Sequence, residues 1–370
     1  MASETVVRPT PEAAKIQSLE GLRGLMAWWV ALGHISLTFG WDLPIIDRNR
    51  LAVDVFILLS GFVIARLIDR KQEPYGPYIL RRGFRLFPLY LVVLVVSSAL
   101  LQVQLGAWEA FPVQTDQNIK RIALAQEGID NFVAHFLVHL PLAQGLVPSS
   151  VLQSSATTLV GQAWSISLEW QFYLLAPFFM WCTRSWKGLV IGLGVVVLLT
   201  LATLFVRGGF LGDKIFLFGL GICIYLYFDR PEERRKWLAG AALFAVLTVA
   251  RYGVWQFVPL AIWIVTIAAA ILHNRRPIGY IQSLLSAKPL VHLGQISYSV
   301  YLLHMIPLYT SIYLLERQGM NFGQMEVAVP LITIVGTYLL AIIAYRWIEQ
   351  PGIDLGARIG RASTPSAATG

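Results

Sequence analysis

Two residues of chemically useful types lie in the apolar stretch EGLRGLMAWWVALGH, residues 20–34. Arg23 and His34 are eleven positions apart, which is close to three helical turns. In a helix their side chains project within about 20° of each other and about 16 Å apart along the axis. Each residue alone has a simpler explanation, because an arginine can reach lipid headgroups and a histidine can make an interhelical hydrogen bond. Together they suggest one helix face that holds an anion and moves a proton.

Three more ionisable residues interrupt apolar stretches. Asp54 lies in LAVDVFILLSGF, Glu169 in WSISLEWQFY and His304 in SYSVYLLHMIP. A charge inside a bilayer is costly, so each is a candidate functional group. Asp54 would lie near the depth of His34 and would orient its imidazole, as carboxylates do in catalysis. We therefore expect a catalytic set of His34, Asp54 and Glu169 in one buried polar pocket that also contains His304.

The stretch around Glu169 is the most polar beginning of any apolar span. Serines and tyrosines there can serve helix packing alone. They can also contact an acceptor molecule, and aromatic rings can stack on a sugar, although membrane interfaces are rich in the same residues. The sequence candidates for the acceptor pocket are Trp164, Ser167, Tyr173, Tyr298 and His304.

A second cluster is basic. Arg82 and Arg85 in RRGFRLFPLY share one helix face at i, i+3. Each arginine alone is explained by topology and lipid headgroups. With Arg23, however, they would form a guanidinium cluster suited to phosphate. The sequence contains no glycine-rich nucleotide loop of the P-loop or Rossmann kind, so side chains would have to hold such a ligand.

These residues need a membrane-spanning scaffold. Of 370 residues, 56% are hydrophobic and 14% are charged, against about 25% charged in a typical soluble domain. Apolar segments long enough to cross a bilayer recur along the chain. The +8 net charge lies in short connectors between them, which is typical of cytoplasmic loops and not of nucleic-acid binding. Two cysteines make no zinc site, and we expect no metal.

Placing the basic connectors inside predicts an all-α polytopic membrane protein with about ten transmembrane helices and both termini cytoplasmic. The segment 131–148 contains two histidines and a proline, and we expect a re-entrant or interfacial helix there. Residues 1–16 are predicted to be a polar cytoplasmic segment and 17–352 the membrane domain. The tail 353–370 is predicted to be cytoplasmic and disordered.

Six motifs occur in an order that resembles the bacterial acyltransferase-3 family of integral-membrane O-acyltransferases. The likeness covers residues 17–352. It includes Arg23 and His34 in an arginine, ten residues, histidine motif, and Arg82, Arg85 and Pro88 in RRGFRLFPLYL. The other motifs are AVDVFILLSGFVIARL, WSISLEWQFYLLAP, ISYSVYLLH and RWIEQP.

The resemblance implies transfer of an acyl group, most often acetyl, from cytoplasmic acyl-CoA to a hydroxyl of a cell-envelope or secreted carbohydrate or glycolipid at the bacterial inner membrane. His34 is then the catalytic centre, and Arg23, Arg82 and Arg85 bind the donor. His34 would act either as a general base or as a nucleophile that forms an acyl-imidazole. A multispan exporter of a glycan or lipid-linked intermediate and an inactive envelope scaffold are the competing interpretations. The sequence does not fix the acceptor, the acyl length or the oligomeric state.

Overall fold

The computed structural model describes residues 11–272 and 278–362, and no β-strand occurs in this part of the chain. The first nine helices are α1 Pro11–Phe39, α2 Arg50–Lys71, α3 Tyr75–Ala99, α4 Leu101–Ala110, α5 Asp116–Asp130, α6 Phe132–His139, α7 Trp164–Cys182, α8 Trp186–Ala202 and α9 Ile215–Asp229. They are followed by α10 Arg234–Tyr252, α11 Phe257–Ile271, α12 Ile278–Leu285, α13 Lys288–Gln295, α14 Ser297–Leu303, α15 Met305–Arg317, α16 Phe322–Ala344 and α17 Gln350–Ala362. A π-helical turn, Tyr345–Glu349, joins the last two.

The length and apolar composition of several helices are those of a membrane protein. Among the described residues, four helical segments are long and apolar enough to cross a bilayer: Arg50–Lys71, Val254–Ile271, Ser297–Arg317 and Phe322–Arg361. The pair α3 and α4, bent by 60°, would be a fifth if it crosses as one span. Helices α8 and α9 are apolar but shorter. Helices α14 and α15 are separated only by His304 and together form the segment Ser297–Arg317.

Helix α1 packs against α2, α12, α13 and α14, so it borders several other helices. Its approach to α13 depends on glycine. A Cβ on Gly24 would lie 2.7 Å from the backbone nitrogen of Gly294, closer than real Cβ atoms come. Met26 and Val30 on the same helix are buried in the main hydrophobic core. This packing fixes the position of the helix that carries Arg23 and His34.

Two segments that connect the longer helices contain short helices of their own. The polar stretch 106–130 contains α5, whose first turn is capped by Thr115 Oγ1, which accepts a hydrogen bond from the Asn118 backbone nitrogen at 3.1 Å. The stretch 131–148 contains α6, whose eight residues span about 12 Å and therefore cannot cross a bilayer of about 30 Å. His135 and His139 on α6 are fully buried.

The end of the chain also differs from expectation. The sequence predicted disorder from residue 353, but α17 continues to Ala362 and packs against α3. Helix α17 is amphipathic, and its buried residues are the glycines Gly352, Gly356 and Gly360, which lie directly against α3. Low hydrophobicity along the sequence does not reveal such a close approach. Residues 1–10, the basic connector at 273–277 and residues 363–370 lie outside the described part of the chain.

Candidate functional site

Helix α1 borders two cavities, and the predicted pair of residues is divided between them. Glu20 and Arg23 line the first, which we name the arginine cavity. Val30 and His34 line the second, which we name the histidine cavity. The rise of 1.5 Å per residue separates Arg23 from His34 by about 16 Å along the axis. One helix therefore connects an anion-binding environment with an imidazole.

The arginine cavity has a volume of about 760 Å³ and lies between α1, α2, α3, α7 and α9. Its lining includes five arginines, Arg23, Arg66, Arg70, Arg82 and Arg85. Three carboxylates also line it, Glu20, Glu169 and Asp229. The excess of guanidinium groups makes the cavity suited to a polyanion.

Part of the hydrogen-bonding capacity of the arginine cavity is unused. Arg23 is paired with Glu20, with 3.0 Å between Nη1 and Oε2. Arg82 places Cζ 5.9 Å from the ring centroid of Tyr173, and its buried Nε has no hydrogen-bond partner within the described part of the chain. Arg85 has its largest charge interaction with the buried carboxylate of Glu349. An unpartnered guanidinium donor in a cavity is suited to an incoming phosphate oxygen.

Glu169 lies in the arginine cavity and not beside His34 as the sequence predicted. Its Oε1 accepts hydrogen bonds from Ser60 Oγ, at 2.9 Å, and from the Tyr173 hydroxyl. These donors come from the middle of α2 and from one turn further along α7, so the Glu169 carboxylate is hydrogen-bonded between these two helices. Tyr298 lines the same cavity and donates its hydroxyl to the Leu86 carbonyl at 2.7 Å.

The histidine cavity has a volume of about 1010 Å³. Charged side chains of both signs line it: Arg48, Arg50, Lys120 and Arg121 with Asp47, Glu127 and Asp130. Aromatic side chains also line it: Trp164, Tyr252, Trp255, Tyr301 and Tyr309. Aromatic faces beside hydrogen-bonding groups are the combination that binds sugar rings with their hydroxyls.

His34 has two close partners in this cavity. Its Nδ1 lies 3.2 Å from Nη2 of Arg121 on α5. Its ring stacks on that of His304, with centroids 5.2 Å apart and planes inclined by 28°. The sequence predicted that His304 would share a polar pocket with His34; the structure places the two rings together, but His304 is 1% exposed and lines neither cavity. The partner of Nδ1 is a guanidinium, whereas the sequence predicted a carboxylate.

Arg121 was missed by sequence reasoning and is 4% exposed. Its Nη1 donates to Thr38 Oγ1 at 2.6 Å and to Asn118 Oδ1 at 2.9 Å. Its Cζ lies 4.5 Å from the ring centroid of Trp108. Burial lowers the pKa of Arg121 to about 9, so it stays a cation at neutral pH. Thr115, which caps the start of α5, is a local sequence signal of a helix in this stretch.

Asp54 is held away from His34. Its Oδ1 pairs with Lys214 Nζ at 2.6 Å and its Oδ2 accepts from Gln256 Nε2 at 2.8 Å. The carboxylate is 1% exposed, and Lys214 was not among the sequence candidates. Similar depth in the bilayer does not determine which way a side chain points around its helix, and Asp54 points toward the start of α9.

Two residues predicted to contact the acceptor, Trp164 and Ser167, lie in different environments. Trp164 lines the histidine cavity, as expected of an acceptor contact. Ser167 lines neither cavity: its hydroxyl donates to the Leu142 carbonyl at 2.6 Å and accepts from the Gly145 nitrogen at 3.3 Å. Ser167 therefore ties α7 to the turn after α6.

The two cavities meet at Val53 and Tyr301, which line both. The Tyr301 hydroxyl is fixed by the Gln162 carbonyl at 2.9 Å and by Ser165 Oγ at 2.7 Å. A narrow chain passing between the cavities would cross at this junction. Within the described residues, no three His, Cys, Asp or Glu side chains form a cluster that could hold a metal ion.

Comparison with known proteins agrees with a membrane acyltransferase. A family model described as an acyltransferase domain matches residues 16–346. The chain is 25% identical to peptidoglycan O-acetyltransferase OatA of Listeria monocytogenes, over 91% of this chain and 55% of that protein. It therefore spans about half the length of that relative. No solved structure matches the chain.

Two other relatives are covered over most of their length. The putative membrane-bound transacylase BcsY of Komagataeibacter xylinus is 28% identical, over 91% of this chain and 83% of that protein. Acyltransferase MdmB of Streptomyces mycarofaciens is 25% identical, over 97% of each chain.

Proposed function

We propose that this chain, which belongs to the acyltransferase-3 family and is an O-acyltransferase, moves an acetyl group from cytoplasmic acetyl-CoA to a hydroxyl of a cell-envelope or secreted carbohydrate. The observation that carries the proposal is the course of α1 past both cavities. Arg23 lines the cavity suited to a polyanion, and His34 lines the cavity suited to a sugar.

The arginine cavity is the proposed site for the donor. Coenzyme A carries several phosphates and a long thin arm that ends in the thioester. Arg23, Arg82 and Arg85 would hold the phosphates, and the unpartnered Arg82 Nε is a donor that such a ligand satisfies. The arm would then extend along α1 and pass Val53 and Tyr301 toward His34.

The histidine cavity is the proposed site for the acceptor. Trp164 and Trp255 offer aromatic faces, and the charged groups around them offer partners for hydroxyls. The name of the Listeria relative states O-acetylation of peptidoglycan, which supports an envelope glycan as the acceptor class.

The proposed setting is the bacterial inner membrane, crossed about ten times with both termini cytoplasmic. The basic segment from Arg66 to Arg85 would be cytoplasmic by the positive-inside rule, which puts the arginine cavity on the side where acyl-CoA is available. The histidine cavity, further along α1, would face the outer side.

Mass spectrometry of envelope glycans tests the function. Cells that express the wild-type chain should carry acetyl increments that are missing from cells without the gene, and His34→Ala should not restore them. If cells without the gene carry less glycan on the outer surface than wild-type cells, but glycan of the same mass, the chain is an exporter and the proposal is contradicted. Restoration by His34→Ala would contradict the catalytic role of the histidine.

A further inference from the structure

His34, which lines the histidine cavity, and His304, which is buried behind it and stacks on its ring, are hydrogen-bonded in opposite ways. Nδ1 of His34 lies 3.2 Å from Nη2 of Arg121. A guanidinium has donors and no acceptor, so Nδ1 of His34 must accept this bond. In the neutral ring the proton then resides on Nε2, which leaves His34 with an N–H donor for a substrate.

His304 has the opposite arrangement. Its Nδ1 lies 2.8 Å from the carbonyl oxygen of Tyr301 and 3.3 Å from that of Val300. Carbonyl oxygens only accept, so Nδ1 of His304 carries the proton and Nε2 carries the lone pair. That Nε2 is buried and has no hydrogen-bond partner among the described residues. A buried acceptor without a partner is complementary to a hydroxyl donor.

Arg121 also opposes a positive charge on His34. It is a buried cation whose hydrogen-bond partners on Thr38 and Asn118 are neutral. A protonated or acylated His34 would place a second positive charge 3.2 Å from it. A general base must become protonated, and a nucleophilic imidazole must become cationic when it is acylated at Nε2. Both roles are therefore disfavoured for His34.

We propose, on the basis of the acyl transfer proposed above, that His34 is the hydrogen-bond donor to the thioester carbonyl and that His304 is the proton acceptor. The acceptor hydroxyl oxygen bonds to the carbonyl carbon while its proton passes to Nε2 of His304. The negative charge on the former carbonyl oxygen is held by His34 Nε2–H. When the C–S bond breaks, the thiolate takes the proton from His304, and the ester and free CoA thiol leave. Arg121 is the positioning residue that fixes the tautomer of His34.

Crossed substitutions separate the two roles. Glutamine offers an amide N–H donor but cannot take up a proton. Purified His34→Gln should retain at least about tenfold more acetyl transfer than His34→Ala, because one oxyanion donor is worth about 10²–10³ in rate. His304→Gln should be as inactive as His304→Ala. His292 on α13, whose Nε2 lies 3.4 Å from the Tyr338 hydroxyl on α16, provides the control His292→Gln with wild-type activity.

Opposite results overturn the assignment. If His34→Gln is as inactive as His34→Ala, or if rapid quenching recovers an acetyl group on a peptide that contains His34, then His34 is the base or nucleophile. Size-exclusion profiles and accumulation in the membrane check that each variant folds.

A readout that does not depend on turnover tests the role of Arg121. In protein labelled with ¹⁵N-histidine, ring nitrogen shifts distinguish the protonated from the unprotonated nitrogen, and His34→Gln and His304→Gln assign the two rings by loss of signal. The wild-type chain should show Nε2–H on His34 and Nδ1–H on His304. Arg121→Met should release the His34 tautomer, and Arg121→Lys, which keeps a donor, should hold it more strongly than Arg121→Met.

The same spectra keep this inference separate from the acyl-transfer function. Nδ1–H on His34 in the wild-type chain would overturn the assignment even if acetyl transfer is fully active. Absence of transfer by the wild-type chain would instead remove the proposed function, whatever the tautomers are.

Discussion

Arg23 and His34 lie on one face of α1, and each lines a different cavity. The intervening turns carry Met26 and Val30, which are buried in the core, so the helix is fixed between the two environments. A donor bound at its charged end can therefore present a reactive group about 16 Å away without a large movement of the protein. The predictions below test separate parts of this arrangement.

Arg82→Ala should raise the KM for acetyl-CoA by about 10- to 100-fold, because a hydrogen bond to a charged group contributes about 1.5–3 kcal/mol. The KM for the carbohydrate should change much less. Initial rates measured with each substrate varied in turn give both constants. Arg317→Ala is the matched control, since this exposed arginine bonds the Tyr313 hydroxyl and lines neither cavity. An equal rise in both KM values for Arg82→Ala would indicate a merely structural arginine.

Val53→Phe should lower kcat at least about tenfold while acetyl-CoA binding persists, because a larger side chain at the junction displaces the thioester from His34. Val53 is 4% exposed and lines both cavities, so the added ring would reduce the space at their junction. Binding is followed by calorimetry and turnover by release of free thiol. Val92→Phe, on the exposed side of α3, is the control with the same chemical change. Unchanged turnover in Val53→Phe would show that the acyl group takes another route.

Asp54→Asn should destabilise the protein by about 3–5 kcal/mol, because it leaves the charge of Lys214 without its carboxylate partner. The double variant Asp54→Asn with Lys214→Met removes both charges and should recover most of the lost stability together with acetyl transfer. Thermal unfolding in detergent and turnover measure the two effects. A stable double variant without activity would mean that His34 needs the Asp54 carboxylate after all.

Gly24→Ala should reduce both stability and activity, because its Cβ would meet the backbone of Leu293 and Gly294 within 2.8 Å. Forced overpacking of this kind costs about 1–3 kcal/mol. A Cβ at Gly194 in α8 would meet no packed neighbour among the described residues within 4 Å, so Gly194→Ala should gain about 0.5–1 kcal/mol from helix propensity. Melting temperatures of the pair give the comparison. Equal melting temperatures would contradict the close packing of α1 on α13.

The sequence predicted the parts of the site that depend on local spacing. A helical period placed Arg82 and Arg85 on one face, and the structure puts both in a cavity with Arg23. Arg23 and His34 follow the same rule along α1. The predicted spans are largely helical because long apolar runs have few alternatives in a membrane.

The sequence did not predict the contacts that depend on which helices pack against each other. Asp54 and His34 were assigned to one pocket from their depth alone, but orientation around the helix directs Asp54 to Lys214. Glu169 was separated from His34 for the same reason. Arg121 lies 87 positions from His34, in the polar stretch 106–130, and no local pattern connects the two.

Acetyl transfer by purified protein in lipid nanodiscs, from labelled acetyl-CoA to isolated envelope glycan, tests the central claim most directly. The wild-type chain should label the glycan, His34→Ala should label it about 10²–10³-fold more slowly while it still binds acetyl-CoA, and Arg23→Ala should bind acetyl-CoA poorly. Labelling by His34→Ala at the wild-type rate would contradict the account.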